Sequence, residues 1–446
     1  MSKLIAIRPL AVRATFGGLV AVPIALLLFT LFTLANYLSL GRNLPAAEAH
    51  VRDAYASGVL QDLDWLPGNT DIGRHQYNDC LIIYMALDQQ AAPAELMASP
   101  IKPMPGSSDT MCSALRAFAG GDKAAGRTGV WYHQYIHGHT MLVRYLLPIV
   151  SVEAMRNLFH TVQTLLIVAG IVLTMLALVR GRRPTESLFW LILFLAFSRW
   201  FGLESFGQSL SHGPSDAIIL LYLLFLAVAS SQGGLSRWAS LIAAALFGSL
   251  TAIFEFLTGG IPLGLAIIIG GLPFALPHSN PAEQVDRVIE AASAFCVAVL
   301  ACLAFKLGLA FSVFGIDSFR ESAAQLQVRM GMGSPEAVPG LLEAVKKLVK
   351  GLNSLAAGMH VLAGAMLFAA IGFGAWGART LVRIGDPATR ARALHLAASN
   401  LVIVAMLLLL WQHTVIHAWF MERIFVWTIG TGFALFAMAL KANPRA

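Results

Sequence analysis

The chain is 446 residues long; hydrophobic residues make up 57% of it and charged residues only 12%. A soluble globular chain has about a quarter of its residues charged, so a string of soluble domains is excluded, and with it disorder, collagen-like structure and a small disulfide scaffold. What remains is a polytopic membrane protein, in which a formal net charge of +7 bears on which loops face which side of a bilayer and gives no reason to invoke nucleic acid.

A membrane span needs about 20 mostly apolar residues. The first lies at 16–37, preceded by Lys3, Arg8 and Arg13. Its apolar run is longer than that of a signal peptide and lacks a small-residue cleavage site, so residues 1–38 read as an uncleaved anchor. A polar region, 39–155, follows. A transmembrane core, 156–313, then holds spans at 158–179, 187–201, 216–229, 238–256, 261–274 and 288–313. A second polar segment, 314–353, precedes the C-terminal membrane part, 354–446, with spans at 355–376, 396–411 and 424–440. The expected fold class is therefore all-α and polytopic, with about ten transmembrane helices and a helical extracytoplasmic first loop. The spans at 187–201 and 261–274 are short.

With the N-terminus inside, the inside segments carry Arg180, Arg182, Arg183, Arg237, Arg287, Arg379, Arg383, Arg390, Arg392, Lys441 and Arg445. The short loops on the other side, 202–215 and 258–260, carry no Lys or Arg, and 412–423 carries only Arg423. This is the positive-inside distribution, with both termini cytoplasmic. The first outside region alternates helix-like stretches, 46–60 and 78–88, with turn-rich stretches such as 99–108. In the second, 335–352 places Val338, Leu341, Leu342, Val345, Leu348 and Val349 on one side and Lys346, Lys347 and Lys350 elsewhere. That pattern suits a helix at the outer interface or one packed on the protein. Cys80 and Cys112 share the first outside region, where an oxidising compartment would make a disulfide plausible. Cys296 and Cys302 sit in the seventh span as small apolar residues. No internal repeat of the kind many transporters have is visible.

Sorted by this topology, the unusual polar residues gather outside. They are Asp53, Asp62, Asp64, Asp71 and Asp79; the run 131–139 with Tyr135, His133, His137 and His139; then Arg144, Arg199, Glu204, His212, Asp216, Glu255, Lys306, His413, His417, Glu422 and Arg423. Ionisable groups at membrane depth are costly and face a cavity or a partner, so the gathering implies a cleft at that face. Asp79 precedes the apolar run 80–87 and reads either as a helix-capping carboxylate or as an acid–base group. Asp53 is the second candidate base, against the plainer role of a solubilising charge. The run 131–139 reads as an interfacial aromatic belt or as a binding segment. His413 and His417, spaced i, i+4, share a helix face at metal-ligand spacing. Thr414 stands where HExxH needs glutamate, which removes a zincin reading. The pair is left to bind a ligand, to anchor a loop, or to hold a divalent cation together with a distant carboxylate. Arg144, Arg199, Lys306 and Arg423 either snorkel to the interface or hold a phosphate.

This architecture, an anchor span followed by a large extracytoplasmic first loop with acidic residues and many further spans, resembles the GT-C superfamily of polytopic glycosyltransferases. The stretch Tyr135-Ile136-His137-Gly138-His139 through Arg144, and His413-Thr414-Val415-Ile416-His417-Ala418-Trp419-Phe420 followed by Arg423, look like recurring segments of bacterial membrane proteins of this type. The resemblance implies an enzyme of the bacterial cytoplasmic (inner) membrane with its active site on the periplasmic side. Such an enzyme moves a sugar, furanoses such as arabinose among them, from a polyprenyl-phosphate donor to a glycan, glycolipid or surface-protein acceptor. Two features depart from the commonest pattern. The first loop has no adjacent acidic pair, only isolated carboxylates and Asp62-Leu63-Asp64, and there is no soluble C-terminal domain. The first departure weakens any requirement for a metal.

On this reading Asp79, or else Asp53, is the base for the acceptor hydroxyl, and one displacement inverts the sugar. Arg144, Lys306, Arg423 and Arg199 hold the donor phosphate, while His137, His139, Tyr135, Glu204, Glu255, His413 and His417 place sugar or acceptor. A transporter or flippase for a glycolipid or other amphiphile accounts equally for the spans and interfacial cations. It accounts less well for a structured first loop, and it should place polar groups near the bilayer midplane, where few are seen. A non-catalytic subunit of a surface-polymer assembly is a third reading.

Overall fold

A computed structural model describes residues 2–66, 75–106, 109–125, 129–199, 209–255, 259–277, 280–332, 342–343, 346, 349, 359–417 and 421–443. The anchor is α1 (Ser2–Leu38), and five short helices follow it: α2 (Leu44–Ala56), α3 (Tyr77–Leu87), α4 (Pro93–Ala98), α5 (Met111–Ala119) and α6 (Gly138–Leu146). The membrane part continues with α7 (Val152–Val179), α8 (Pro184–Phe197), α9 (Ser209–Ser231), α10 (Arg237–Phe254), α11 (Gly260–Ala275) and α12 (Pro281–Phe314). After α13 (Ile316–Arg329) come α14 (His360–Ile384), α15 (Pro387–Leu409), the short α16 (Trp411–Ile416) and α17 (Phe425–Ala442). The strands β1 (Ile101–Lys102) and β2 (Val130–Trp131) form an antiparallel pair.

The chain is an all-α, multi-pass membrane protein. Eight of the described helices are long and apolar enough to cross a bilayer. The two shorter apolar helices α8 and α11, of 14 and 16 residues, occupy the positions of the two short spans expected from the sequence. Contacts at the helix ends establish the alternation. Arg13 of α1 pairs with Asp286 and Glu290 of α12 at 3.2 and 3.1 Å, and Arg237, opening α10, reaches the same Glu290 at 2.8 Å. Arg183, just before α8, donates to the carbonyls of Ser230 and Leu276 at the ends of α9 and α11. Arg392 of α15 pairs with Glu186 of α8 at 3.1 Å, and Lys441 at the end of α17 donates to Thr185. The starts of α1, α8, α10, α12 and α15 thus meet the ends of α9, α11 and α17 at one arginine-rich face.

Packing pairs α1 with α12 and α10, α7 with α9, α11 with α15, and α14 with α17. The last contact depends on glycine: a Cβ on Gly432 would lie 2.3 Å from the Ala370 carbonyl oxygen, so only the bare backbone permits the approach. α12 has 34 residues and is about 51 Å long at 1.5 Å per residue, more than a bilayer core of about 30 Å. Its buried charges Glu290 and Lys306 stand about 24 Å apart along the axis. That separation is of the order of the hydrocarbon core, about 30 Å.

Beyond the opposite face, α2 to α6 enclose a separate core built on Val51, Leu60, the buried run 80–87, Leu115 and Phe118. Cys80 and Cys112 form a disulfide that ties α3 to α5, with Cα atoms 5.1 Å apart. Gly315, at φ 72°, ends α12 and lets α13 turn away from it. Most of the amphipathic stretch 335–352 lies outside the described residues.

Candidate active site

The region above the Lys306 level encloses a cavity of about 310 Å³. The end of α10, the start of α11 and the outer part of α12 form its floor; the β2 strand and the following residues 132–135 form one wall; α13 covers it. Most of the lining is apolar, supplied by Ala252, Ile261, Leu303, Leu307, Leu326 and Leu410. Against that background stand three cations, Lys102, Lys306 and Arg329, and one carboxylate, Glu255.

Each polar group is held by a neighbour. Lys306 is buried, and its ammonium donates to the Ala98 carbonyl and, at 2.9 Å, to Ser99 Oγ. Ser99 Oγ in turn lies 2.8 Å from His133 Nδ1, and His133 Nε2 lies 3.7 Å from Glu321 of α13. Burial, with Lys306 nearby, pulls His133 down to a pKa of about 4, so the imidazole is neutral at pH 7. Glu255 follows the last residue of α10 and accepts the Gly260 amide at 3.2 Å. A Cβ on Gly260 would lie 2.2 Å from Glu255 Oε2, so glycine is what lets the carboxylate reach over the start of α11. Lys102 on β1 lies 5.2 Å from the centre of the Tyr132 ring, a cation–π contact.

Arg329, the last residue of α13, ties the cover down. Its Nη1 lies 3.0 Å from His413 Nδ1 and 3.4 Å from His417 Nε2, and the two imidazole rings are 4.6 Å apart. A guanidinium only donates, so those two nitrogens are the unprotonated acceptors. Burial and then the Arg329 charge pull His417 down to about 4. Arg329 also donates to Tyr135, which accepts a further bond from the Tyr132 hydroxyl; burial raises the Tyr135 pKa. The two histidines therefore hold a cation of the protein. Among the described residues no three His, Cys, Asp or Glu side chains converge to hold a metal ion.

Several residues picked out from the sequence lie elsewhere. Asp79 does not line the cavity. It is fully buried, paired with Arg156 Nε at 2.8 Å, and it accepts the Leu210 amide at 3.1 Å and that of Ser211. Its carboxylate caps the start of α9 and docks α3 on α7, a tether inside the protein that lies away from the cavity. Burial pushes its pKa up to about 6 against the pull of Arg156. Asp53, the second candidate, is exposed on α2 and does not line the cavity. Arg144 is buried and donates to Asn36 at 3.0 Å and to the Met85 carbonyl at 3.3 Å, fastening α6 to α1 and α3. Arg423 is spent on Asp216 of α9 at 2.9 and 3.1 Å, both groups being fully buried. Neither arginine lines the cavity; both make ties inside the protein. Arg199 is exposed at the end of α8.

His137 sits in the left-handed region at φ 64°, opens α6 and bonds the Tyr132 carbonyl at 2.7 Å; His139 is fully buried beside it. Both support the wall without forming it. Glu204 and Asp71 lie outside the described residues. The cavity thus gathers Lys306, Glu255 and Tyr135, with His413 and His417 one bond behind through Arg329. Sequence reasoning missed Arg329, Lys102 and Ser99. Arg329 and Lys102 are ordinary charges on polar segments, and only the fold turns them inward. No protein-family model, curated protein or solved structure matches the chain.

Proposed function

We propose that this protein is a membrane glycosyltransferase of the GT-C kind, which takes a sugar from a polyprenyl-phosphate donor and places it on a glycan, glycolipid or surface-protein acceptor at the periplasmic side of a bacterial cytoplasmic membrane. The observation that carries the reading is the composition of the cavity: three cations and one carboxylate at the boundary of the hydrocarbon layer, beside an apolar wall. A lipid-linked phosphate needs that combination of a charged end and an apolar flank. The arginine-rich opposite face supports a cytoplasmic orientation for both termini, and the Cys80–Cys112 disulfide on the cavity side agrees with an oxidising compartment.

The chemistry follows from these groups. Glu255, the carboxylate of the cavity wall, takes the proton of the acceptor hydroxyl as its oxygen attacks the anomeric carbon. The bond from that carbon to the phosphate oxygen breaks, and polyprenyl phosphate leaves with one more negative charge than the phosphodiester carried. Arg329, with its planar fork, and Lys306 meet that developing charge, so they bind the transition state more tightly than the donor. A single displacement inverts the sugar. The prenyl chain lies along Leu303, Leu307 and Leu326, and Tyr135 and His133 meet sugar hydroxyls. Transport is the weaker reading because it gives no role to the folded region of α2 to α6, with its own core and disulfide, that stands over the cavity side.

Purified protein in liposomes, given a defined polyprenyl-phosphate sugar and a soluble acceptor, is expected to transfer the sugar without moving the lipid between leaflets. Lipid movement without transfer would overturn the assignment.

A further inference from the structure

At the arginine-rich face, far from the active-site cavity, a groove of about 510 Å³ opens between the starts of α12 and α15. We infer that this groove binds one anionic phospholipid, its phosphate on Arg390 and one acyl chain running inward between the two helices. Two helix faces build it. On α15 the side chains of Arg390, Leu394 and Ala398 follow one another at i, i+4 and i+8, and on α12 Pro281 and Val285 stand opposite at i and i+4. The α15 stripe runs about 12 Å from the charged end into the apolar layer. Leu394 and Val285 are 58% and 36% exposed, so the apolar floor is open to the bilayer.

The charge balance selects the headgroup. Arg390 Nε is fixed on the Gly385 carbonyl at 2.8 Å, which leaves the two terminal nitrogens of the fork to face outward. His395 Nδ1 bonds the Ala391 carbonyl at 2.7 Å, and the residue lines the groove. Among the described residues no carboxylate lines the groove. The acids nearby in sequence are engaged elsewhere: Glu283 with Arg287, Asp286 with Arg13, and Asp386 with the Thr389 hydroxyl and the first amides of α15. A phosphodiester oxygen finds the Arg390 fork, whereas the cation of a zwitterionic headgroup finds no acidic partner and meets a face of like charge. Anionic lipid is the occupant this charge pattern fits.

The test uses the full-length protein in detergent, with native mass spectrometry reading the retention of phosphatidylglycerol against phosphatidylcholine of identical chains. Preferential retention of phosphatidylglycerol is expected, and Arg390→Gln should reduce the preference about five-fold, the contribution of one arginine near an anionic surface. Ala398→Phe, which fills the inner end, should lower retention of phosphatidylglycerol while leaving the protein monodisperse. Arg383→Ala, at the same face but outside the groove, should change nothing. Equal retention of the two lipids would overturn the inference, as would a preference that survives Arg390→Gln. So would competition by glycerol 3-phosphate as effective as that by the intact lipid, because the site would then be one for free phosphate.

Discussion

Asp79→Asn removes the charge from a carboxylate that holds three helices at once. One oxygen meets Arg156 of α7 at 2.8 Å, the other accepts the Leu210 amide of α9 at 3.1 Å, and the residue itself sits in the first turn of α3. Both partners of the ion pair are buried, with side chains 3% and 0% exposed, so the loss leaves the Arg156 charge without its counterion inside the protein. The asparagine keeps one acceptor oxygen for the α9 amides, but its NH2 group would face the guanidinium donor to donor. Breaking one side of such a pair costs about 3–5 kcal/mol, and the lower end applies because the amide contact survives. Arg156→Met alone should cost a similar amount. The double variant Asp79→Asn with Arg156→Met should cost less than the sum of the single changes, since no charge is then stranded. Unfolding in detergent, followed by far-UV circular dichroism, measures the cycle, and sugar transfer per folded molecule measures the chemistry. Asp79→Asn is expected to lose stability while its folded fraction transfers sugar at close to the wild-type rate. A variant as stable as wild type that transfers no sugar would return Asp79 to the reaction and refute the tether.

Arg329→Ala should lower kcat/KM for the donor at least ten-fold, with kcat falling as well as KM rising, from the loss of charge-assisted bonds of roughly 1.5–3 kcal/mol, and Arg329→Lys should be intermediate because it keeps the charge and loses the fork; initial rates against donor concentration decide. The His417 imidazole, held at about 4 in the folded state against about 6.5 unfolded, is protonated first in the unfolded chain. Its contribution is therefore complete above pH ~6.5 and is lost as the pH falls toward 4. Going from pH 7.5 to 5 should weaken the tie between α13 and α16 by about 2 kcal/mol and speed amide hydrogen exchange in α13; unchanged exchange would contradict the geometry. Replacing Cys80 and Cys112 together by serine frees a loop with a sequence separation of 32 and should lower stability by about 3–4 kcal/mol, read from the denaturation midpoints of both proteins under non-reducing conditions. Glu255→Gln should lower kcat on the order of 10²- to 10⁴-fold with donor KM close to wild type.

Much of the fold was legible because a bilayer imposes a single period and length on the chain. Hydropathy placed ten helices and the arginines fixed their alternation, down to the two short spans now seen as α8 and α11. Glu255 and Lys306 were legible for the same reason: a charge at the end of an apolar run must have something to face. The ion pair of Asp79 was not legible, because a carboxylate before an apolar run looks alike whether it caps a helix, binds an ion or takes a proton. Its partner Arg156 lies 77 positions away, beyond any local pattern. The ties of Arg144 and Arg423 were hidden similarly, since pairing with Asn36 or Asp216 depends on helices that meet only in the folded chain. Arg329 carries no local signal, and its place over the cavity depends on the turn at Gly315 and on two histidines more than eighty residues later.

The most direct measurement is a structure of the protein with a non-hydrolysable polyprenyl-phosphate sugar bound. The phosphate is expected within hydrogen-bond distance of Arg329 and Lys306, the anomeric carbon turned toward Glu255, and the prenyl chain along Leu303 and Leu307. A donor seated with its phosphate on Arg144 or Arg423 and its sugar against Asp79, with the Glu255 cavity left empty, would contradict the account.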